Sequence, residues 1–269
     1  MAFIARRADN SFSEPAPGVR RRGVIDPGFL PDDRLRVKVL EMADGAAWTV
    51  VAEQRSLVWL QVLFGTVEVD GEPRDRGWIV MGTCGREFPL TASGPAVVLV
   101  CHVPNAADYD PALTRGIRAD VEWTREPVLS SEHDTRQRIY LASPSLWGTD
   151  AVKGEMIIYP PGSSGAAHHH EGAEHFQFML SGTLVADLAG SEHELSAGDL
   201  LYNLEHEIHA FRNDSDDEAV FVEFFVPGQN TTVWVPGANA CAWNPTGQDI
   251  EGRAPVRDIP SHVHGAIEV

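Results

Sequence analysis

Short apolar runs alternate with turn residues along most of the chain. Runs rich in Val, Ile, Phe and Leu, such as LVWLQVLFGTVEVDG, HFQFMLSGTLVADLAG and AVFVEFFVPG, stand between Gly, Pro, Asp and Asn. Such runs are typical of β-strands that are separated by turns. No apolar stripe with helical spacing extends beyond about a dozen residues. The pattern therefore predicts an all-β protein.

Two parts of the chain resemble each other. In each part an apolar strand leads to a glycine at a bend, Gly65 in the first and Gly182 in the second. A second strand and a turn follow, and a later glycine, Gly77 or Gly198, opens another strand. This internal repeat predicts that one fold occurs twice.

The composition narrows the classes of function. The 39 acidic residues outnumber the 21 basic ones, which gives a formal charge of −18. Such a charge repels nucleic-acid phosphates, so we expect no nucleic-acid partner. The chain has no run of the ~18 apolar residues that span a bilayer and no apolar segment after its first arginines, so we expect no membrane partner. The three cysteines are odd in number and widely spaced, which favours a reducing, cytoplasmic location over a disulfide framework.

Four histidines have positions that β geometry can bring together. Side chains of a strand alternate between its faces, so His168 and His170 share a face and stand about 7 Å apart. After a turn at EGA, an adjacent antiparallel strand can direct His175 to the same point, and a third strand can bring His209 there. The spacing therefore predicts one divalent metal ion bound by these four imidazoles.

The histidines also lie in two motifs that resemble those of the cupin superfamily. Gly162-x5-His168-x-His170-x4-His175-x6-Gly182 resembles the first cupin motif, and Gly198-x5-Leu204-x-His206-x2-His209-x3-Asn213 resembles the second. The resemblance implies a β-barrel that holds its metal inside one mouth. Together with the repeat it implies the two-barrel, or bicupin, subgroup: two double-stranded β-helix, or jelly-roll, barrels in one chain.

The chain departs from the family pattern at the third ligand. Cupins usually have Glu where this chain has His175, and Glu174 stands one place earlier. The interval to Gly182 favours His175 as the ligand, and a shorter spacing would make it Glu174. The second motif also has Leu204 and His206 in place of the usual Pro and Gly.

The first repeat lacks the ligands. Aligning Gly65 with Gly182 and Gly77 with Gly198 puts four other side chains, those of Val51, Glu53, Val58 and Phe88, at the histidine positions. We therefore expect a degenerate, metal-free N-terminal barrel. The predicted segments are an N-terminal arm at 1–34, the degenerate barrel at 35–104, a connector at 105–136, the metal-binding barrel at 137–227 and a C-terminal extension at 228–269.

Side chains that share the metal-facing parity are candidates for a substrate pocket. They are Gln177, Met179, Phe211, Tyr159 and Asn203. Glu223 interrupts the run VFVEFFV and is a candidate general base, or else an outward polar residue. The remaining lone histidines, including His102, His262 and His264, are expected to be bystanders.

A metal held in this way can serve several chemistries. Imidazole suits Fe, Mn, Ni, Cu and Zn, so the ligands do not select one of them. Four ligands leave two adjacent positions of an octahedral ion for a chelating small-molecule substrate. The favoured expectation is a dioxygenase, an oxidoreductase that cleaves a C–C bond. The alternatives are a non-redox isomerase, lyase or aminohydrolase, and a metal-stabilised binding protein without catalysis. The resemblance also implies a homodimer.

Overall fold

The computed structural model describes residues 2–9 and 11–264. These residues form 25 β-strands, which confirms the predicted all-β class. The helices among them are short: the 3-10 helices Arg7–Asp9, Ala106–Asp108, Pro111–Arg115 and Trp123–Arg125, and α1 (Pro144–Trp147). No helix of the described part of the chain is long and apolar enough to cross a membrane.

The strands belong to two compact units. The N-terminal unit comprises Ala8–Trp123 and Leu146–Ala151, and the C-terminal unit comprises Met1–Arg7, Thr124–Ser145 and Val152–Val269. Each unit has its own pair of antiparallel sheets. The chain therefore contains the predicted duplicated fold.

The N-terminal unit contains strands β2 to β12. They are β2 (Phe12–Ala16), β3 (Val19–Ile25), β4 (Arg36–Met42), β5 (Ala47–Val51), β6 (Leu57–Phe64), β7 (Thr66–Val69), β8 (Glu72–Asp75), β9 (Trp78–Thr83), β10 (Glu87–Ala92), β11 (Ala96–Val103) and β12 (Arg118–Glu122). One sheet has the order β12-β9-β6-β11-β4-β3-β2, and the other has the order β5-β10-β7-β8. Alternate side chains of both sheets, among them Leu40, Val98 and Phe88, pack into one apolar core.

The C-terminal unit contains β1 and the remaining strands. They are β1 (Phe3–Ala5), β13 (Leu129–Ser131), β14 (Gln137–Ala142), β15 (Lys153–Tyr159), β16 (His168–Glu171), β17 (Glu174–Ser181), β18 (Thr183–Leu188), β19 (Ser191–Ser196), β20 (Leu200–Asn203), β21 (His209–Arg212), β22 (Ala219–Val226), β23 (Thr231–Trp234), β24 (Ala242–Pro245) and β25 (His262–Val263). One sheet has the order β1-β20-β17-β22-β15-β14-β13-β24-β25, and the other has the order β19-β18-β21-β16-β23.

The two units repeat one strand order. The run β9-β6-β11-β4-β3 of the first unit corresponds to β20-β17-β22-β15-β14 of the second. Gly65 and Gly182 occupy the same bend, with φ of 74° and 69°. A Cβ on Gly182 would lie 2.5 Å from the carbonyl oxygen of Glu218, so the bend requires glycine for both conformation and space.

Replacing Gly182 with alanine is expected to lower the free energy of unfolding by about 3 kcal/mol, because backbone strain and overpacking add. Gly190 provides a matched control, since its φ is 90° but a Cβ there meets no atom within 4 Å. Gly190→Ala should therefore cost only about 1 kcal/mol, from strain alone. Denaturant unfolding of both variants measures the difference. Equal losses would contradict the steric role of the bend.

The compact units extend beyond the predicted barrel segments. The predicted arm at 1–34 supplies β2 and β3 to the first unit, and the predicted connector at 105–136 supplies β12 to it. The predicted extension at 228–269 supplies β23, β24 and β25 to the second unit. These strands are short or rich in charged residues, as in VRRRGVI. Their sequences therefore do not show the alternation of apolar and polar residues that is typical of a strand.

Candidate metal centre

Three strands of the C-terminal unit carry the predicted ligands. Strand β16 directs His168 and His170 to one face, and His168 pairs with His209 of β21 in the antiparallel register. Strand β17 lies in the other sheet and turns His175 toward the same interior. The alternation of side chains along each strand thus brings the imidazole rings together inside the barrel.

Four ligand atoms come within 4.8 Å of one another, one each from His170, His175, His209 and Glu223. We call these residues the metal cluster. The Nε2 atom of His175 lies 3.3 Å from Nε2 of His209 and 3.5 Å from Oε1 of Glu223. All four residues are buried, with at most 5% of their surface exposed.

His168 lies beside the metal cluster without being part of this group of four. Its ring centroid is 4.5 Å from that of His209 and 4.9 Å from that of His170. Its Nδ1 donates a hydrogen bond of 2.8 Å to the carbonyl oxygen of Ala166, so Nε2 is the nitrogen that carries the lone pair. His168 belongs instead to a second group of candidate ligands, with His170 and His264.

The two candidates for the third ligand point in different directions. His175 faces the barrel interior, whereas Glu174 accepts a 2.5 Å hydrogen bond from the hydroxyl group of Tyr202. Among the residues that the structure describes, Glu174 belongs to no group of candidate metal ligands. A third such group, His169, Glu171 and His206, is largely exposed to solvent.

The buried imidazoles suit a divalent cation. Burial lowers the pKa of His170 and His175 well below 6.5, and it lowers the pKa of His209 to about 4. The rings are therefore neutral and can offer lone pairs. Nε2 of His170 is buried and has no hydrogen-bond partner among the residues that the structure describes. Because buried polar atoms are rarely left unpaired, the donor set fits a metal ion.

Glu223 has a carboxyl group in an unusual environment. Burial is the main cause that raises its pKa to about 8, and the carboxylate of Glu155, opposite it on β15, contributes to the same rise. The amide of Gln177 donates a hydrogen bond to Oε1 of Glu223. A divalent cation beside this carboxyl group would favour its ionised form.

The predicted pocket residues divide into two sets. Gln177 and Asn203 are fully buried next to the metal cluster, and the amide of Asn203 donates a 2.9 Å hydrogen bond to Oε1 of Gln177. Met179 packs within an apolar cluster of the barrel. Tyr159 and Phe211 belong to that cluster as well, but they also line a cavity.

This cavity adjoins the metal cluster and has a volume of about 30 Å³, enough for about one or two water molecules. His209 and Glu223 form part of its wall, and so does His168. The other lining residues are Arg136, Arg138, Ile157, Tyr159, Ala166, Phe211, Phe221, Trp234, Cys241 and His264.

Sequence reasoning missed the cationic side of the cavity. Arg138 is 2% exposed, and its Nε lies 3.2 Å from Oε2 of the buried Glu155. It also donates a 2.5 Å hydrogen bond to Nδ1 of His264. Arg136 is buried nearby and bonds the hydroxyl of Tyr159 at 3.3 Å. The run QRIYLA carries a signal for Arg138, because an arginine within an apolar strand requires a buried partner.

His264 was expected to be a bystander, and it lines the cavity instead. Strand β25 pairs with β24 and brings the end of the described chain to the barrel. His262 anchors this segment through a 2.7 Å hydrogen bond with the hydroxyl of Tyr140. The shared strand parity of His262 and His264 was the available signal, but it does not reveal the partner strand.

The N-terminal unit has apolar side chains where the C-terminal unit has histidines. In its register Val50 lies opposite Phe88, as His168 lies opposite His209. The corresponding positions are therefore Val50, Ala52, Val58 and Phe88, and all four are buried in one apolar core. The segment before β6 is one residue longer than its counterpart before β17. For this reason Val50 and Ala52 stand at the first two histidine positions, in place of Val51 and Glu53, which the sequence alignment predicts. Within residues 2–9 and 11–264, every group of candidate metal ligands lies in the C-terminal unit.

Comparisons with known proteins agree with this architecture. Residues 155–225 match the model of the cupin domain family. No curated protein sequence matches the chain. Residues 155–225 of the C-terminal unit are therefore similar to a cupin domain, and the N-terminal unit repeats the strand order of this unit.

Among solved structures, the chain is similar to oxalate decarboxylase from Bacillus subtilis. One such structure, reported for its Mn(II) centres, is 15% identical with a TM-score of 0.68. The match covers 87% of this chain and 79% of that one. A variant of that enzyme with one tryptophan replaced by tyrosine gives a TM-score of 0.69 at the same identity and coverage. At this identity the similarity concerns the fold.

Proposed function

We propose that this chain is a metal-dependent cupin enzyme that acts on a small carboxylate. The observation that carries the proposal is the cavity itself, whose wall combines two residues of the metal cluster, His209 and Glu223, with the buried guanidinium groups of Arg136 and Arg138. Metal ligands on one wall and cations on another suit a substrate that chelates a metal through a carboxylate.

The proposed ligands are His170, His175, His209 and Glu223. This set differs at one position from the four histidines that the sequence predicts, since Glu223 takes the place of His168. A bound ion would supply positive charge that orients a carboxylate and stabilises negative charge on the product. We propose manganese, because imidazole and carboxylate ligands together suit it and because the similar decarboxylase has Mn(II) centres.

The other cavity residues have distinct roles in this proposal. Arg136 and Arg138 attract and orient the substrate through charge-assisted hydrogen bonds. Ile157, Phe221 and Trp234 exclude water from the reacting carbon. Gln177 holds the carboxyl group of Glu223 in place through its hydrogen bond, and Asn203 holds Gln177 in turn.

The reaction class that we favour is a lyase that breaks a C–C bond next to a carboxylate. The small, cationic cavity supports it, and the similar structures are decarboxylases. The dioxygenase expected from the sequence is the second candidate. Four protein ligands support it, since they leave two adjacent positions of an octahedral ion for substrate and O2.

One experiment separates these possibilities. The untagged protein is purified, its metals are measured by elemental analysis, and CO2 release and O2 uptake are followed with oxalate and several 2-oxo acids. Metal-dependent CO2 release without net O2 uptake supports the lyase. O2 uptake in proportion to product supports the dioxygenase. Stoichiometric metal with no turnover of the whole panel would favour a metal-stabilised binding protein.

Two variants test the fourth ligand. Glu223→Gln keeps the shape of the side chain but removes its charge. We therefore expect manganese affinity to fall about 10- to 100-fold, which is at least the effect of losing a residue that supports a metal ligand. His168→Ala should change the affinity by less than about threefold under this assignment. Isothermal titration of manganese into each protein measures both values. The reverse order would return His168 to the ligand set.

The homodimeric state and the cytoplasmic location also belong to this proposal, and they rest on the sequence alone. Light scattering should give about twice the chain mass of 29.4 kDa. A mass near that of one chain would contradict the dimer.

A further inference from the structure

The N-terminal unit has a cavity of its own at one mouth of its barrel. Its volume is about 310 Å³, at the lower end of the range for small-molecule sites. The lining includes Arg21, Arg36, Lys38, Trp48 and His102, together with apolar and rim residues. We call this cavity the cationic pocket.

Strand register relates the cationic pocket to the C-terminal barrel. Lys38 pairs with Val100 in the first unit, as Glu155 pairs with Glu223 in the second. Lys38 therefore holds the position of Glu155.

Arg21 has a counterpart too. It pairs with Leu40, as Arg138 pairs with Ile157, so Arg21 holds the position of Arg138. In the C-terminal barrel this pair of positions carries the Arg138–Glu155 ion pair, at 3.2 Å. In the N-terminal barrel the same pair of positions carries two cations.

The charges of these two cations are not neutralised by direct contacts. Neither Arg21 nor Lys38 forms an ion pair with any residue that the structure describes. Burial lowers the pKa of Lys38, and Arg21 lowers it by more than the carboxylate of Asp26 raises it. The amine of Lys38 therefore experiences a net positive field.

The carboxylates around the pocket leave this field in place. Asp26 and Glu53 are exposed at the rim, as Arg21 is, whereas Lys38 is partly buried, and Arg36 is already paired with Asp33. Like charges in a partly buried cleft repel each other, and an anion between them relieves the repulsion.

Two ring nitrogens of the lining residues, Nε1 of Trp48 and Nε2 of His102, are buried. Neither has a hydrogen-bond partner within residues 2–9 and 11–264. Burial lowers the pKa of His102 to about 4, so its ring is neutral at neutral pH. Val50 and Val100 form an apolar wall beside these rings. The pocket thus offers positive charge, polar ring atoms and a flat apolar surface in one place.

We propose that the N-terminal barrel binds a small organic carboxylate with an apolar body. Lys38 and Arg21 bind the carboxylate group, and the apolar body lies along Trp48 and the two valines. The barrel that has apolar side chains at the histidine positions is then a second ligand site.

Benzoate is the probe for the first test. It is titrated into the full-length protein by calorimetry and by tryptophan fluorescence, with benzyl alcohol as the neutral control ligand. Lys38→Met and Arg21→Met should each weaken benzoate binding at least about tenfold, because each removes a charge-assisted hydrogen bond. Arg115→Met removes the same charge from an exposed site outside the pocket and should leave the affinity unchanged.

The variant His170→Ala distinguishes benzoate binding in the cationic pocket from benzoate binding at the metal site. That variant should keep its benzoate affinity, because His170 lies in the C-terminal unit. If His170→Ala lost benzoate binding and Lys38→Met kept it, the proposal would be overturned and the ligand would be assigned to the C-terminal cavity. Failure of the wild-type protein to bind benzoate, or equal binding of benzyl alcohol, would overturn it as well.

A second measurement needs no variant. The chain has two lysines, and Lys153 is buried in the C-terminal unit with 5% exposure. Acetic anhydride should therefore acetylate Lys38 preferentially, and saturating benzoate should slow this acetylation about tenfold or more, as mass spectrometry would measure. An unchanged rate at Lys38 would contradict binding at this amine.

Discussion

Replacing His175 with alanine is expected to reduce bound metal from one ion per chain to near zero. The ring of His175 contributes a ligand atom to the buried metal cluster, and alanine has none to offer. Since even supporting residues of a metal site change affinity 10- to 100-fold, loss of a ligand should cost at least about 100-fold. Elemental analysis after dialysis against a weak chelator measures the occupancy.

The neighbouring residue gives the control. Glu174→Ala should retain the metal, because the Glu174 carboxylate bonds the hydroxyl of Tyr202 rather than facing the metal cluster. Loss of the hydrogen bond with Tyr202 should cost about 1 kcal/mol of stability. A variant pair in which Glu174→Ala loses the ion and His175→Ala keeps it would make Glu174 the ligand.

The second large effect concerns the buried ion pair of the C-terminal barrel. Arg138→Met should lower the free energy of unfolding by about 3 to 5 kcal/mol, because it leaves the buried Glu155 without its counter-charge. Glu155 lies opposite Glu223 on the adjacent strand, so the variant also removes a cation that offsets the repulsion between these two carboxyl groups. Denaturant unfolding measures the loss.

Two further proteins isolate the cause of this effect. The double variant Arg138→Met with Glu155→Met should recover most of the lost stability, because it removes both charges. Arg20→Met breaks an exposed pair with Glu41, at 2.9 Å, and should cost no more than about 1 kcal/mol. If the double variant were no more stable than Arg138→Met alone, lost packing rather than an unpaired charge would be the cause.

The sequence predicts the duplicated fold through local features. Gly65 and Gly182 occupy bends that only glycine fits, so they occur at equivalent points of both repeats. Apolar runs between turns mark most strands of both barrels. The sequence does not predict strands such as β3, which has three arginines in a row. Such a strand forms because it pairs with neighbouring strands, although its own apolar pattern is weak.

The sequence predicts the candidate site only in part, because some of its contacts depend on strand pairing. His168, His170, His175 and His209 occur in short motifs, and the parity of a strand indicates which of them face inward. Glu223 could be noticed as a break in an apolar run, but its direction could not be derived from that run. Its place in the metal cluster depends on pairing between β17 and β22.

Sequence by itself determined the all-β class, the duplication and the inward-facing histidines, since each follows from interactions between near neighbours in the chain. Tertiary structure alone decided that Glu223 joins the metal cluster, that Arg138 and His264 line the cavity, and that Lys38 stands where Glu155 stands in the other barrel. These residues meet across strands that are far apart in the chain, and their register depends on the packing of the whole barrel rather than on any local pattern.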